Sequence, residues 1–125
     1  MTDKRLNPRL QETADVIVRV VSAPGLQALE DRQVNCRSSD VSLRGVRLRT
    51  DLVFPVGADL NLEIFFARAA RTFSLGGRVV WCRESETGDP SYDAGIEFDR
   101  KNPQYADWAA TILLLLQHDF NPPAH

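Results

Sequence analysis

The sequence predicts a mainly β protein: a small six-stranded antiparallel barrel with a C-terminal α-helix packed on it and a flexible N-terminal arm. Three observations predict this class. Six short segments are rich in β-branched residues or alternate between apolar and polar residues, and turn-forming residues separate them. One segment near the C-terminus changes to helical spacing. The length of 125 residues fits a single domain with a core of useful size.

The six predicted strands follow one another at short intervals, as expected for a small barrel. They cover residues 15–22, 33–38, 45–50, 59–66, 71–83 and 92–99. Alternation predicts an inward-facing set consisting of Val46, Leu48, Leu60, Leu62, Ile64, Phe66, Ala94, Ile96 and Phe98. Residues 38–45 (SSDVSLRG) are predicted to form a polar turn, and the Gly76-Gly77 pair indicates a bulge or sharp coil.

The C-terminal helix is predicted from the apolar residues Tyr105, Trp108, Ile112 and Leu115/Leu116, which recur at helical spacing. Asn102-Pro103 is a fitting start, and the helix is expected to end near residues 117–119. Leu113 and Leu114 lie off this stripe. Either a loop or the barrel rim covers them, or they form the face of a homodimer or partner contact.

The predicted organisation is an arm at residues 1–12, a barrel plus helix at 13–119 and a tail at 120–125. The arm is polar, contains Pro8 and has no helical or strand period. It also lacks the apolar segment of a secretory signal, and no apolar stretch is long enough to span a bilayer. The two cysteines, Cys36 and Cys82, have no metal-ligand spacing. We therefore expect a cytoplasmic protein with no membrane insertion.

The charge of the chain is unevenly distributed. Residues 1–50 carry nine basic and six acidic side chains, net +3, whereas residues 51–125 carry six and eleven, net −5. Arginine supplies nearly all of the basic residues, which favours planar, bidentate contacts to phosphate or guanine. A small anionic ligand near the N-terminal half is one interpretation, and an unevenly charged solvated surface is the other. The overall charge of −2 argues against general nucleic-acid binding.

Motifs for catalysis are missing from the sequence. There is no GxSxG, HExxH, GxxxxGK[ST] or GxGxxG, and no carboxylate pair stands out as an acid/base couple. We expect neither an enzyme, nor a metal site, nor a cofactor.

Two short motifs distinguish the N-terminal half. Residues 5–9 (RLNPR) place Arg5 and Arg9 in an RxxxR pattern within the arm, and residues 40–45 (DVSLRG) match [DN]xSxxG. About one RxxxR is expected by chance in this composition, but only about 0.05 copies of [DN]xSxxG. Their occurrence in this order is therefore more informative than either alone.

With both motifs, the sequence resembles the PilZ family of bacterial receptors for cyclic di-GMP. In that family RxxxR lies in an N-terminal arm, and [DN]xSxxG follows in a turn between two strands of a six-stranded barrel. RVVW at 78–81 and AGIEF at 94–98 are similar to recurring strand patterns of the family. The resemblance extends from Lys4 to about Leu116.

The resemblance implies that Arg5, Arg9, Asp40, Ser42 and Gly45 bind cyclic di-GMP, and the chemistry of these residue types agrees. An arginine fork matches guanine O6 and N7 and also binds phosphate. A carboxylate accepts hydrogen bonds from guanine N1–H and the N2 amino group, and a hydroxyl bonds phosphate. Glycine allows a tight turn and a close approach to the ligand.

Weaker candidates are Lys4, Arg44 and Trp81. Lys4 adds a cation at a position that, in the family, influences whether one ligand or a stacked pair binds, so the number of ligands stays open. Arg44 projects from the predicted turn. Trp81 is either a core residue or a platform for guanine.

Each motif also has a purely structural explanation. In a simple hairpin, Asp40 and Ser42 would bond local backbone groups and Gly45 would adopt positive φ. Arg5 and Arg9 would then belong to a solvated tail.

The predicted function is a stand-alone receptor in which cyclic di-GMP orders the arm, and an effector protein receives the signal. The alternative is a PilZ-like adaptor or scaffold for motility or pilus assembly that does not bind nucleotide. A small barrel for single-stranded nucleic acid fits less well, because the aromatic residues mostly lie on inward faces and the net charge is negative.

Overall fold

Seven antiparallel strands and one helix make up the described part of the chain. The computed structural model describes residues 9–86 and 91–120, with the backbone alone for 118–120. The elements are β1 (Arg9–Leu10), β2 (Asp15–Ser22), β3 (Gln33–Ser42), β4 (Gly45–Thr50), β5 (Asp59–Phe66), β6 (Arg71–Glu84), β7 (Tyr92–Phe98) and α1 (Tyr105–Phe120). Short 3₁₀ turns lie at Gln27–Leu29 and Ala67–Ala69.

Strands β2 to β7 close into a six-stranded barrel. Around the barrel the order is β3, β2, β5, β6, β7 and β4, and the β3–β4 pairing completes the ring. The short strand β1 adds to β3, with Arg9 opposite Ser42 and Leu10 opposite Val41. The predicted mainly β barrel with a C-terminal helix is confirmed, and β1 is an additional strand that the sequence did not predict.

The core follows the predicted alternation. All nine residues that were predicted to face inward are buried. They lie on the inner faces of β4, β5 and β7. Leu10 is also buried. Residues 9 and 10, which were predicted to belong to the arm, are therefore attached to the barrel. Residues 1–8, which include Lys4 and Arg5, lie outside the described residues.

The helix packs on the barrel through its predicted stripe. Trp108 contacts the rings of Phe66, Phe73 and Phe98, with centroid distances of 5.2–5.7 Å. Leu113 and Leu114 are 53% and 67% exposed, so neither a loop nor the barrel rim covers them among the described residues. Within residues 9–86 and 91–120, no helix has the length and apolar content that a membrane span requires.

Two predictions about local structure were wrong. Most of the predicted turn at 38–45 is strand, because β3 continues to Ser42 by pairing with β1 and β4, which leaves a two-residue turn. The irregularity in β6 lies between Val79 and Trp81 and not at Gly76-Gly77, which pair regularly with β5. A Cβ on Gly77 would lie 2.6 Å from the Ile96 side chain, which explains the glycine.

Candidate functional site

The β3–β4 hairpin is held by a hydroxyl and by contacts from distant elements. Ser42 Oγ accepts from the Gly45 N–H at 3.1 Å and donates to the Gly45 carbonyl at 3.2 Å. Trp108 Nε1 donates to the Ser42 carbonyl at 3.0 Å, and the Tyr105 hydroxyl donates to the Leu43 carbonyl at 2.8 Å. The backbone of the [DN]xSxxG motif is thereby fixed to α1.

Gly45 is required by a close approach and not by backbone conformation. Among the described glycines, positive φ occurs at Gly25 and Gly57. A Cβ on Gly45 would lie 2.1 Å from the Ile96 carbonyl oxygen of β7. The hairpin explanation that gives Gly45 a positive φ is therefore wrong, whereas its expectation that Ser42 bonds local backbone is right.

Arg9 and Asp40 form an ion pair beside the hairpin. Arg9 Nη1 lies 2.5 Å from Asp40 Oδ1, and the two side chains are 46% and 11% exposed. Strand β1 sets this contact, because buried Leu10 faces the interior and its neighbour Arg9 faces outward. A residue of the arm motif and a residue of the [DN]xSxxG motif are thus in direct contact.

Two β-bulges bring further residues to the same outer face. In β3 the register shifts between Ser38 and Asp40, and in β6 between Val79 and Trp81. Ser38 and Val79 are buried, so regular alternation would also point Asp40 and Trp81 inward. The extra residue at each bulge reverses this and directs both side chains outward.

As a result, a row of four residues crosses four strands. Asp40 of β3 pairs with Arg47 of β4, Arg47 with Gly95 of β7, and Gly95 with Trp81 of β6. A Cβ on Gly95 would lie 2.3 Å from Trp81 Nε1, so the indole lies directly over this glycine. The guanidinium carbons of Arg47 and Arg83 lie 5.7 and 4.8 Å from the Trp81 ring centroid, within cation–π range.

Arg47, Gly95 and Trp81 of this row line an open cleft of about 270 Å³. Its polar lining consists of Arg9, Ser42, Arg44, Arg47 and Glu97, and its other lining residues include Gly45, Trp81 and Gly95. Three arginines against one carboxylate give the cleft a positive lining, and the indole adds an aromatic surface. Such a lining suits an anionic ligand with planar bases.

A larger cleft, of about 530 Å³, is less suited to an anion. Asp59, Glu97 and Asp99 line it together with Arg78 and Lys101. Arg78 already pairs with Asp59 at 3.2 Å. The carboxylates therefore outnumber the cations there.

The predicted site residues divide into three groups. Arg9, Ser42, Gly45, Arg44 and Trp81 all line the 270 Å³ cleft. Asp40 does not line it but contacts Arg9, which does. Lys4 and Arg5 lie outside the described residues.

Arg47 lines the cleft and was not among the predicted site residues. Its position on the polar face of a strand, two residues after the motif glycine, is the signal that was available. That signal is weak, because Arg49 has the same pattern two residues later. Arg49 pairs with Asp93 instead, with Nε–Oδ1 at 3.5 Å.

The cysteines lie apart from the cleft lining and are free thiols. Burial raises the pKa of Cys36 above its usual value, outweighing a lowering by its hydrogen bond to the Thr50 side chain. Cys36 is thus a neutral thiol at physiological pH.

The PilZ domain model matches residues 3–113, which is most of the chain. Among curated protein sequences, none matches the chain significantly.

Three solved structures share the fold. The Bacillus subtilis inhibitor of motility (MotI/DgrA) has a TM-score of 0.67 at 16% identity, over 93% of this chain and 51% of its own. The PilZ domain of YcgR from Escherichia coli, with c-di-GMP, has a TM-score of 0.58 at 12% identity. The match covers 94% of this chain and 97% of the YcgR chain. The K. pneumonia MrkH–c-di-GMP complex has a TM-score of 0.56 at 16% identity. The match covers 96% of this chain and 54% of the MrkH chain. The chain spans about half the length of the MotI/DgrA and MrkH chains.

Proposed function

Because this chain belongs to the PilZ domain family, we propose that it is a receptor that binds cyclic di-GMP in the cleft beside the β3–β4 hairpin. The observation that carries the proposal is the convergence of Arg9, Ser42, Gly45 and Trp81, from four different strands, on this one cleft. The proposed role is binding without catalysis.

Each residue has a role that its position supports. Arg9 binds a phosphate or the O6/N7 edge of guanine, since its side chain is half exposed and lies at the cleft. Asp40 orients Arg9 and, when Arg9 turns to the ligand, becomes an acceptor for guanine N1–H. Ser42 and Gly45 keep the hairpin close to β7. Trp81 stacks on a base.

The arm supplies the remaining cations. Arg5 is four residues before Arg9, so their Cα atoms are at most about 14 Å apart. Because Arg9 is fixed at the edge of the cleft, Arg5 and Lys4 are within reach of a ligand there. The cleft volume lies near the lower end of the roughly 300–1,000 Å³ found for small-molecule sites, so a dinucleotide extends beyond it toward these residues.

The signal passes to a partner protein through the surfaces that the ligand alters. Ligand binding orders the arm against the barrel, and the hairpin transmits strain to α1 through Trp108 and Tyr105. The exposed Leu113 and Leu114 on α1 provide an apolar contact for an effector or for a second copy of the chain. The likeness to MotI/DgrA supports a role in the control of motility.

Calorimetric titration of cyclic di-GMP into the protein tests this proposal. Arg9→Ala removes one charge-assisted contact and should weaken binding by about 1.5–3 kcal/mol, tenfold to a hundredfold. Arg19→Ala is the matched control, because Arg19 does not line the cleft and its ion pair with Asp31 is long and exposed. It should leave the affinity unchanged, and GTP should give no heat.

Absence of saturable binding at high micromolar ligand would contradict the receptor proposal. The fold would stand, and the adaptor role without nucleotide would then be the better explanation.

A further inference from the structure

Resting on the proposed function, we propose that Arg47 is a positioning residue of the cyclic di-GMP site. Its guanidinium holds the Asp40 carboxylate on one side and the Trp81 ring on the other. In this way it fixes the acceptor and the stacking surface relative to each other.

The contacts of Arg47 connect the two halves of the site. Its Nε lies 3.7 Å from Asp40 Oδ2, while Arg9 occupies Oδ1 of the same carboxylate. Its Cζ lies 5.7 Å from the Trp81 ring centroid. Register places Arg47 directly between Asp40 and Gly95, over which the indole lies.

The arrangement allows Arg9 to exchange partners. The Asp40 carboxylate is only 11% exposed, and a buried charge that loses its partner is strongly unfavourable. When Arg9 turns to the ligand, Arg47 remains as the counter-ion. Arg47 Nε is buried and has no hydrogen-bond partner among the residues that the structure describes. A carboxylate shift of about 1 Å would close the 3.7 Å gap to hydrogen-bond distance.

Arg83 offers a matched control. It lies over the same ring at 4.8 Å but belongs to β6, outside the Asp40 ion pairs. Loss of Arg83 therefore removes a cation from Trp81 without affecting the carboxylate. Lysine at position 47 keeps the charge but loses the planar group that serves both neighbours.

The first test needs no ligand. Trp108 is fully buried, so acrylamide quenching of tryptophan fluorescence reports mainly on Trp81. Arg47→Gln should raise the quenching constant about twofold, because the ring loses its cation on the Asp40 side. An unchanged constant, with urea unfolding showing an intact fold, would overturn the positioning of Trp81 by Arg47.

The second test is a double-mutant cycle on cyclic di-GMP affinity. Arg47→Gln should weaken binding about tenfold, Arg47→Lys should restore it only in part, and Arg83→Gln should change it less than threefold. In an Asp40→Asn background, Arg47→Gln should reduce the affinity less than threefold, because the carboxylate charge that Arg47 balances is gone.

The outcomes separate the two proposals. An equal loss in both backgrounds would mean that Arg47 acts independently of Asp40, which overturns its role as the counter-ion of that carboxylate. No binding by the unmodified protein would overturn the proposed function, and the quenching result would still decide whether Arg47 positions Trp81.

Discussion

Gly45 and Gly95 lie where neighbouring groups leave no room for a side chain. At Gly45 the obstacle is the Ile96 carbonyl oxygen, which belongs to rigid backbone in β7. At Gly95 it is the Trp81 indole. Glycine in this site therefore serves packing: one residue brings the hairpin against β7, and the other lets an aromatic ring lie flat on the sheet.

Gly45→Ala should destabilise the fold strongly. A Cβ placed 2.1 Å from backbone oxygen forces β4 and β7 apart, and we expect a loss of about 3 kcal/mol in the free energy of unfolding, at the upper end for overpacking. Gly76→Ala is the control, since its Cβ would meet nothing closer than 3.8 Å, and it should change stability by less than about 1 kcal/mol. Urea unfolding of both variants provides the measurement, and equal effects would contradict this explanation.

At the scale of elements, the β3–β4 hairpin and α1 form one unit although about sixty residues separate them. The Ser42 and Leu43 carbonyls accept hydrogen bonds from Trp108 and Tyr105, and the Arg44 carbonyl accepts one from the Phe98 N–H at 2.7 Å. These bonds satisfy the turn backbone where it is covered by the helix. A change in the hairpin therefore acts directly on the helix.

Trp108→Phe should weaken this connection. It leaves the buried Ser42 carbonyl without its donor and removes part of a fully buried ring, which should cost about 1–3 kcal/mol of stability. Tyr105→Phe removes a comparable bond from a part-buried position and should cost roughly 0.5–1.5 kcal/mol. Denaturant unfolding of both variants measures the two losses in stability, and the loss for Trp108→Phe should be the larger. A smaller loss for Trp108→Phe than for Tyr105→Phe would show that the Ser42 contact is unimportant.

At the scale of the whole molecule, the cleft belongs to the barrel itself. Its lining comes from β1, β3, β4, β6 and β7 together with the β3–β4 turn, and the β3–β4 pairing that supports it also closes the ring. The site therefore exists only when the barrel is closed. Ligand binding should consequently stabilise the entire fold.

Cyclic di-GMP at a hundred times its dissociation constant should stabilise the native state by about 2.7 kcal/mol. For a chain of 125 residues this corresponds to a rise of about 10 °C in Tm. Differential scanning calorimetry measures the shift, with GTP and the Arg9→Ala variant as controls. A shift of the same size with GTP would argue for nonspecific anion binding.

The sequence alone was sufficient for six of the seven strands, the inward residues and the helix stripe, because alternation and helical spacing are local properties. It missed β1 and ended β3 four residues too early. It also supplied both motifs. It did not reveal that Asp40 and Trp81 turn outward at two bulges, that Arg47 lies between them, or that Gly45 is needed for its contact with β7. These features depend on register between strands that are distant in sequence, and register is decided only when the barrel closes.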